Sequence, residues 1–219
     1  MSEKMKREIS LTVLFAAFMF LQFTVLALGN HAGEGYLSTE RRELVYYALQ
    51  VFVILGFLAY AFLERIFSRK KYFLIVSLAL LTAGSVILFF ADKATPFYLI
   101  ATLASIPCLG YLGGAVYHRM SIETAAGENT ARSMGIGCAA AIAIQFLLQI
   151  QWGIMPLLPA AMLAAIGLLA YFLLQGTAEN QPGAQKTAEK TGPRRLLFSC
   201  LIAAAFLLLT GFYNGYIQH

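Results

Sequence analysis

Seven apolar runs of about 20 residues recur along the chain, at 9–29, 44–63, 72–91, 96–117, 134–153, 154–174 and 196–217. A helix rises about 1.5 Å per residue, so such a run crosses a hydrocarbon layer about 30 Å thick. Inside that layer every backbone polar group needs an internal partner, which leaves helices or a closed barrel. A membrane barrel requires period-2 alternation, and these runs lack it. Composition points the same way. Hydrophobic residues make up 59% of the 219 residues and charged residues only 12%, against about a quarter charged in soluble domains. The expected fold class is therefore all-α: a polytopic membrane bundle of seven transmembrane helices.

Lys4, Lys6 and Arg7 precede the first run and give it the look of a signal peptide. Its apolar core is longer than the 7–15 residues of a signal h-region, so a retained first helix is expected. Gln151-Trp152-Gly153 forms a hairpin between the fifth and sixth runs, with Pro156 in the next turn and Trp152 suited to an interface. The long polar segment 176–195 carries Gly, Pro, Ala, Gln and Lys, the composition of a linker. Three parts follow: a six-helix bundle over 1–175, a cytoplasmic linker over 176–195, and a seventh helix in 196–219. That last helix reads as the start of a second bundle in a longer protein.

Lys and Arg in short loops set orientation. With the spans above, thirteen of the 16 lie on the side of the N-terminus; only Arg41, Arg42 and Lys93 lie on the other. The N-terminus is thus expected in the cytoplasm and the end of the seventh helix outside, in a bacterial-type inner membrane. The net charge of +5 is spent on this asymmetry rather than on a nucleic-acid surface. Cys108, Cys138 and Cys200 all lie in apolar runs and offer neither a disulfide framework nor a zinc spacing, so no metal and no cofactor is expected.

The loop after the second run reads Leu63-Glu64-Arg65-Ile66-Phe67-Ser68-Arg69-Lys70-Lys71. Positive-inside charge explains the bases but not the acid. A carboxylate at a helix end can hold the bases of a neighbouring loop in one conformation and release them in another. Here the chain resembles the major facilitator superfamily, whose loop at this place has the pattern Gly-x-x-x-Asp-Arg/Lys-x-Gly-Arg-Arg/Lys. Glu64 and Arg65 match its acid–base pair, and Arg69 and Lys70 its terminal bases. Glu replaces Asp, Ser68 stands for the second glycine, Phe67 is one residue too many, and Ala61 or Phe62 stands for the leading glycine. The resemblance implies a secondary transporter of two six-helix bundles, of which this chain holds the N-terminal one plus the seventh helix. It also implies a cytoplasmic gate of Glu64, Arg65, Arg69 and Lys70, with Arg119, Glu123 and Arg132 of the loop after the fourth helix as partners.

Polar residues inside spans are the default site candidates. Gln145 and Gln149 share one face of the fifth helix. Gln22 lies past the middle of the first, Tyr111 in the fourth and Asn214 in the seventh. By the resemblance, Gln22, Tyr111 and Asn214 face the solute and Gln145 stands at the rim. Interhelical hydrogen bonding is the structural alternative, at about 0.6 kcal/mol each. Glycines 110, 113 and 114 after Pro107, and the small residues 135, 137, 139, 141 and 143, mark close helix packing. The first and second helix triplets, with no residue match between them, fit an inverted repeat only as an architecture.

No Asp or Glu lies deep within a span, so a coupling proton or ion would need His118, another part of the protein, or no coupled ion at all. The last run has no lysine for a retinal Schiff base, and the scattered His31, His118 and His219 make no catalytic cluster, which argues against an enzyme. The expected function is alternating-access transport of a small solute, with solute and membrane lipid as the partners. A membrane sensor or input domain is the alternative.

Overall fold

The computed structural model describes residues 3–66, 70–125, 129–149 and 157–176, with side chains placed in all but the ends of these segments. Among them are six helices and no strands: α1 Glu3–Gly29, α2 Thr39–Ile66, α3 Lys70–Phe90, α4 Pro96–Ala125, α5 Thr130–Gln149 and α6 Leu157–Gly176. All six are long and apolar enough to cross a membrane, and the chain is a multi-pass helical bundle. The hairpin at 151–153, the linker and the seventh span all fall outside the described residues.

Several helices outrun the apolar segments that announced them. α1 begins at Glu3 rather than at 9, α2 at Thr39 rather than at 44, and α4 continues to Ala125 rather than 117. An apolar run measures hydrocarbon thickness, whereas a helix continues until its end groups find other partners. Ser38 starts α2, its carbonyl accepting from Arg42 N at 3.0 Å. Asn129 caps α5 through its side chain, Oδ1 accepting from Arg132 N at 3.3 Å. Thr95 and Pro96 open α4, with Asp92 folding the turn before them through Ala94 N at 3.0 Å. Between α1 and α2 the chain turns through Gly33 and Gly35, whose φ angles of 85° and 95° suit glycine.

α1 and α4 occupy the middle of the bundle. On α4 a stripe at alternating spacings of four and three is wholly buried: Tyr98, Thr102, Ser105, Leu109, Leu112 and Val116 are all 0% exposed. α1 answers with Leu14, Phe18, Leu21 and Val25 on the same rhythm, the spacing by which side chains seat between those of a neighbouring helix. The buried threonine and serine hydroxyls of that α4 stripe return to their own helix. Thr102 Oγ1 donates to Tyr98 O at 2.9 Å and Ser105 Oγ to Ala101 O at 2.7 Å.

The pairing of helices has an internal symmetry. α2 packs on α4 as α5 packs on α1; α3 packs on α4 as α6 packs on α1; α1 meets α4, and α3 meets α6. Exchanging α1 with α4, α2 with α5 and α3 with α6 returns the same set of partners. Each triplet crosses the membrane three times, an odd number, so the second runs opposite to the first. That is the relation of an inverted repeat.

Glycines set the closest approach. α2 and α4 cross where Gly56 meets Gly110; a methyl at either would collide with backbone, including the carbonyl oxygens of Pro107 and Val53. On α5, Gly137 lies against α1, where a Cβ would stand 2.8 Å from Thr12 O and 3.1 Å from Ala16 N. The two crossings belong to symmetry-related helix pairs, yet they use different residues at different heights. The symmetry is one of packing and not of sequence.

Candidate functional site

Two sets of polar groups stand out, one past the middle of α1 and α5 and one toward the end that carries the N-terminus. Gln22, past the middle of α1, is 3% exposed and its Oε1 has no hydrogen-bond partner among the described residues. An amide oxygen stranded in this way costs about 1–3 kcal/mol. α5 runs parallel to α1: Ser133 Oγ reaches Glu8 O at 3.4 Å, and Gly137 sits between Thr12 and Ala16. The same offset carried about two turns further sets half-buried Gln145 at the level of Gln22. Two of the three glutamines singled out in the sequence, Gln22 and Gln145, thus stand at one depth on neighbouring helices. The side chain of Gln149 and all of Asn214 lie outside the described residues.

Tyr111 belongs to a different set. It is 6% exposed and meets the Tyr60 ring edge-on, centroids 5.3 Å apart at 70°. Tyr60 continues to His118, its hydroxyl 2.9 Å from Nδ1. Beside this chain, Tyr117 is ringed by Phe15 at 5.8 Å, Phe18 at 6.1 Å and Phe57 at 5.7 Å. Gly113 and Gly114 make room for these rings. A side chain at Gly113 would strike Phe18 and Phe57, and one at Gly114 would strike Tyr60. An aromatic cluster therefore joins α1, α2 and α4, running from the middle of these helices toward the end that carries the N-terminus. The glycine pair was a sequence signal for close packing; that the close neighbours are rings, and that one hydrogen-bonds a histidine, was not visible in it.

The gate candidates gather at this same end. Glu64 and Arg65 close α2 and Lys70 opens α3, with their side chains outside the described residues, as is Arg69 altogether. The described contacts of the expected partners lie elsewhere. Arg119 Nη1 donates to Phe172 O at 2.6 Å, near the C-terminal end of α6, where the helix dipole favours a cation. Arg132 Nε stands 3.5 Å from Glu8 Oε1, joining the starts of α5 and α1. Glu123 is half-buried near the end of α4. This end is thus bound by polar ties from α4 to α6 and from α1 to α5, beside the α2–α4 tie through Tyr60 and His118.

The opposite end is closed by a separate set. Tyr98 Oη donates to Leu28 O at 2.7 Å and fixes the start of α4 to the end of α1. In the turn between α1 and α2, His31 Nδ1 lies 3.1 Å from Glu34 Oε2, and Lys93 Nζ reaches the same oxygen at 4.0 Å. Both contacts are about half exposed and worth little to stability. A shallow apolar groove of about 440 Å³ runs past Ile87, Phe90 and Phe97, at the end of α3 and the start of α4. Comparison with known proteins finds no match for this chain among family models, curated proteins or solved structures.

Proposed function

We propose that the six helices are the N-terminal bundle of a secondary transporter of the major-facilitator type, moving a small solute by alternating access. The exchange symmetry of the helix pairs carries the reading. Inverted three-helix repeats build transporter halves in which the solute site lies near the membrane midplane at the repeat interface. In this reading Gln22 and Gln145, on the α1–α5 pair that joins one repeat to the other, would line that site. The glutamines offer an uncharged hydrogen-bonding surface, and a second bundle covers it. The charge-rich loop with Glu64, Arg65, Arg69 and Lys70 would then be the cytoplasmic gate, since thirteen of the 16 Lys and Arg lie on that side under the positive-inside rule.

The test is accessibility at Gln145 from the two sides of the membrane. Gln145→Cys is placed in the full-length protein with Cys108, Cys138 and Cys200 replaced by serine, and treated with a membrane-impermeant maleimide in vesicles of either orientation. Alternating access expects labelling from both sides, in proportions that change with the conformational state. Labelling from one side only, under every condition, overturns the transporter reading and favours a sensory bundle.

A further inference from the structure

We propose that His118 and Tyr60 form a proton-binding site at the N-terminal end of the bundle, whose occupancy sets the strength of the α2–α4 contact there. Tyr60 lies on α2 and His118 on α4, fifty-eight positions apart in the chain, and the hydroxyl and Nδ1 are 2.9 Å from each other. The imidazole also meets the Tyr60 ring, centroids 5.9 Å apart. It is half-buried, on the helix that forms the middle of the molecule.

Imidazole is the side chain whose ordinary charge change falls between pH 5 and 8. The hydrogen bond to Tyr60 exists in both protonation states with opposite polarity. In one neutral form the phenol donates to Nδ1 and Nε2 carries the ring proton. When water delivers a proton to Nδ1, that nitrogen becomes the donor, the phenol oxygen accepts, and the hydroxyl hydrogen turns away to a new acceptor. A charge-assisted hydrogen bond is the stronger of the two, so Tyr60 favours the protonated form. By linkage, whatever Tyr60 adds to proton affinity, the proton adds to the hold of α2 on α4 by the same factor.

The surroundings bear on the same proton. Arg119, the next residue, is committed to the Phe172 carbonyl of α6. Tyr111, also on α4, packs edge-on against Tyr60. Lys71 of α3 is exposed, and Arg132 of α5 is paired with Glu8 of α1. Glu64 and Arg65 continue α2 beyond Tyr60. The proposal does not need the transport reading. In a transporter the site would supply a coupling proton, and in a sensor an input, so its test can fail while the accessibility test succeeds, and the reverse.

The experiment is nuclear magnetic resonance of the full-length chain in lipid nanodiscs, with labelled histidine and with tyrosine labelled at Cζ. His118→Asn removes one imidazole signal and so assigns it, while exposed His31 serves as the reference. In Tyr60→Phe the ring packing stays and the hydroxyl goes. The His118 midpoint is then expected to fall by about half a pH unit or more, a roughly threefold loss of proton affinity, with His31 unmoved. The Tyr60 Cζ signal in the otherwise unaltered protein should follow the His118 titration and go flat in His118→Asn, a readout that does not depend on the folding of Tyr60→Phe. A His118 midpoint that stays put or rises in Tyr60→Phe overturns the proposal. So does a Tyr60 signal that ignores pH.

Discussion

Gly56 and Gly110 carry no side chain because each faces the backbone of the other's helix. At Gly56 an added methyl would meet not only Pro107 O but the Gly110 Cα at 2.9 Å, and backbone cannot rotate away as a side chain can. Gly135 and Gly167 are helical glycines at which an added methyl would find nothing within 4 Å. The same substitution should therefore have opposite signs at the two kinds of site. Gly56→Ala and Gly110→Ala are each expected to destabilise by about 1–3 kcal/mol, the cost of overpacking. Gly135→Ala and Gly167→Ala are expected to be neutral or to stabilise by up to about 1 kcal/mol through helix propensity. Thermal unfolding in detergent reads both. Equal effects at all four glycines would show that the α2–α4 crossing is looser than the geometry given above.

A helix in this bundle is defined by two things at once, an apolar length and a set of end groups. The apolar length was legible in the sequence, because any segment that enters hydrocarbon must be about 20 residues long and helical. The ends were not, because a cap is a matter of one side chain's direction. Asn129 is an example: nothing in Gly127-Glu128-Asn129-Thr130 separates a loop asparagine from one whose Oδ1 receives the Arg132 amide. Asn129→Ala is expected to cost about 1 kcal/mol. Amide exchange at Arg132 and Ser133 should speed up with it, while the amides of α2 stay protected. Unchanged exchange at those two positions would assign the start of α5 to the Arg132–Glu8 contact instead.

At the scale of the molecule, the unequal sharing of Lys and Arg between the loops makes the expected topology measurable. Ala94 and Ser121 are both exposed, at opposite ends of α4. In a background free of native cysteines, Ala94→Cys is expected to react with an impermeant thiol reagent in intact cells. Ser121→Cys should react only after the membrane is opened. The reverse pattern would invert the assignment of cytoplasmic and outer faces and move the candidate gate with it.

The sequence by itself determined that the chain is helical, membrane-embedded and multi-pass, since composition and run length report directly on the solvent each segment can tolerate. It also singled out Gln22, Gln145 and Tyr111, because a polar group in an apolar run stands out without any knowledge of its neighbours. Only the tertiary structure decided which helices touch. The exchange symmetry of the two triplets is invisible in the residues, for close packing can be met by Gly56 on one helix pair and Gly137 on its counterpart. It decided as well that Gln22 and Gln145 share a depth while Tyr111 belongs to an aromatic cluster nearer the N-terminal end. The pairing of Tyr60 with His118 is of the same kind: hydrogen bonds act over about 3 Å of space, and the chain carries no record of which distant residues folding will bring that close.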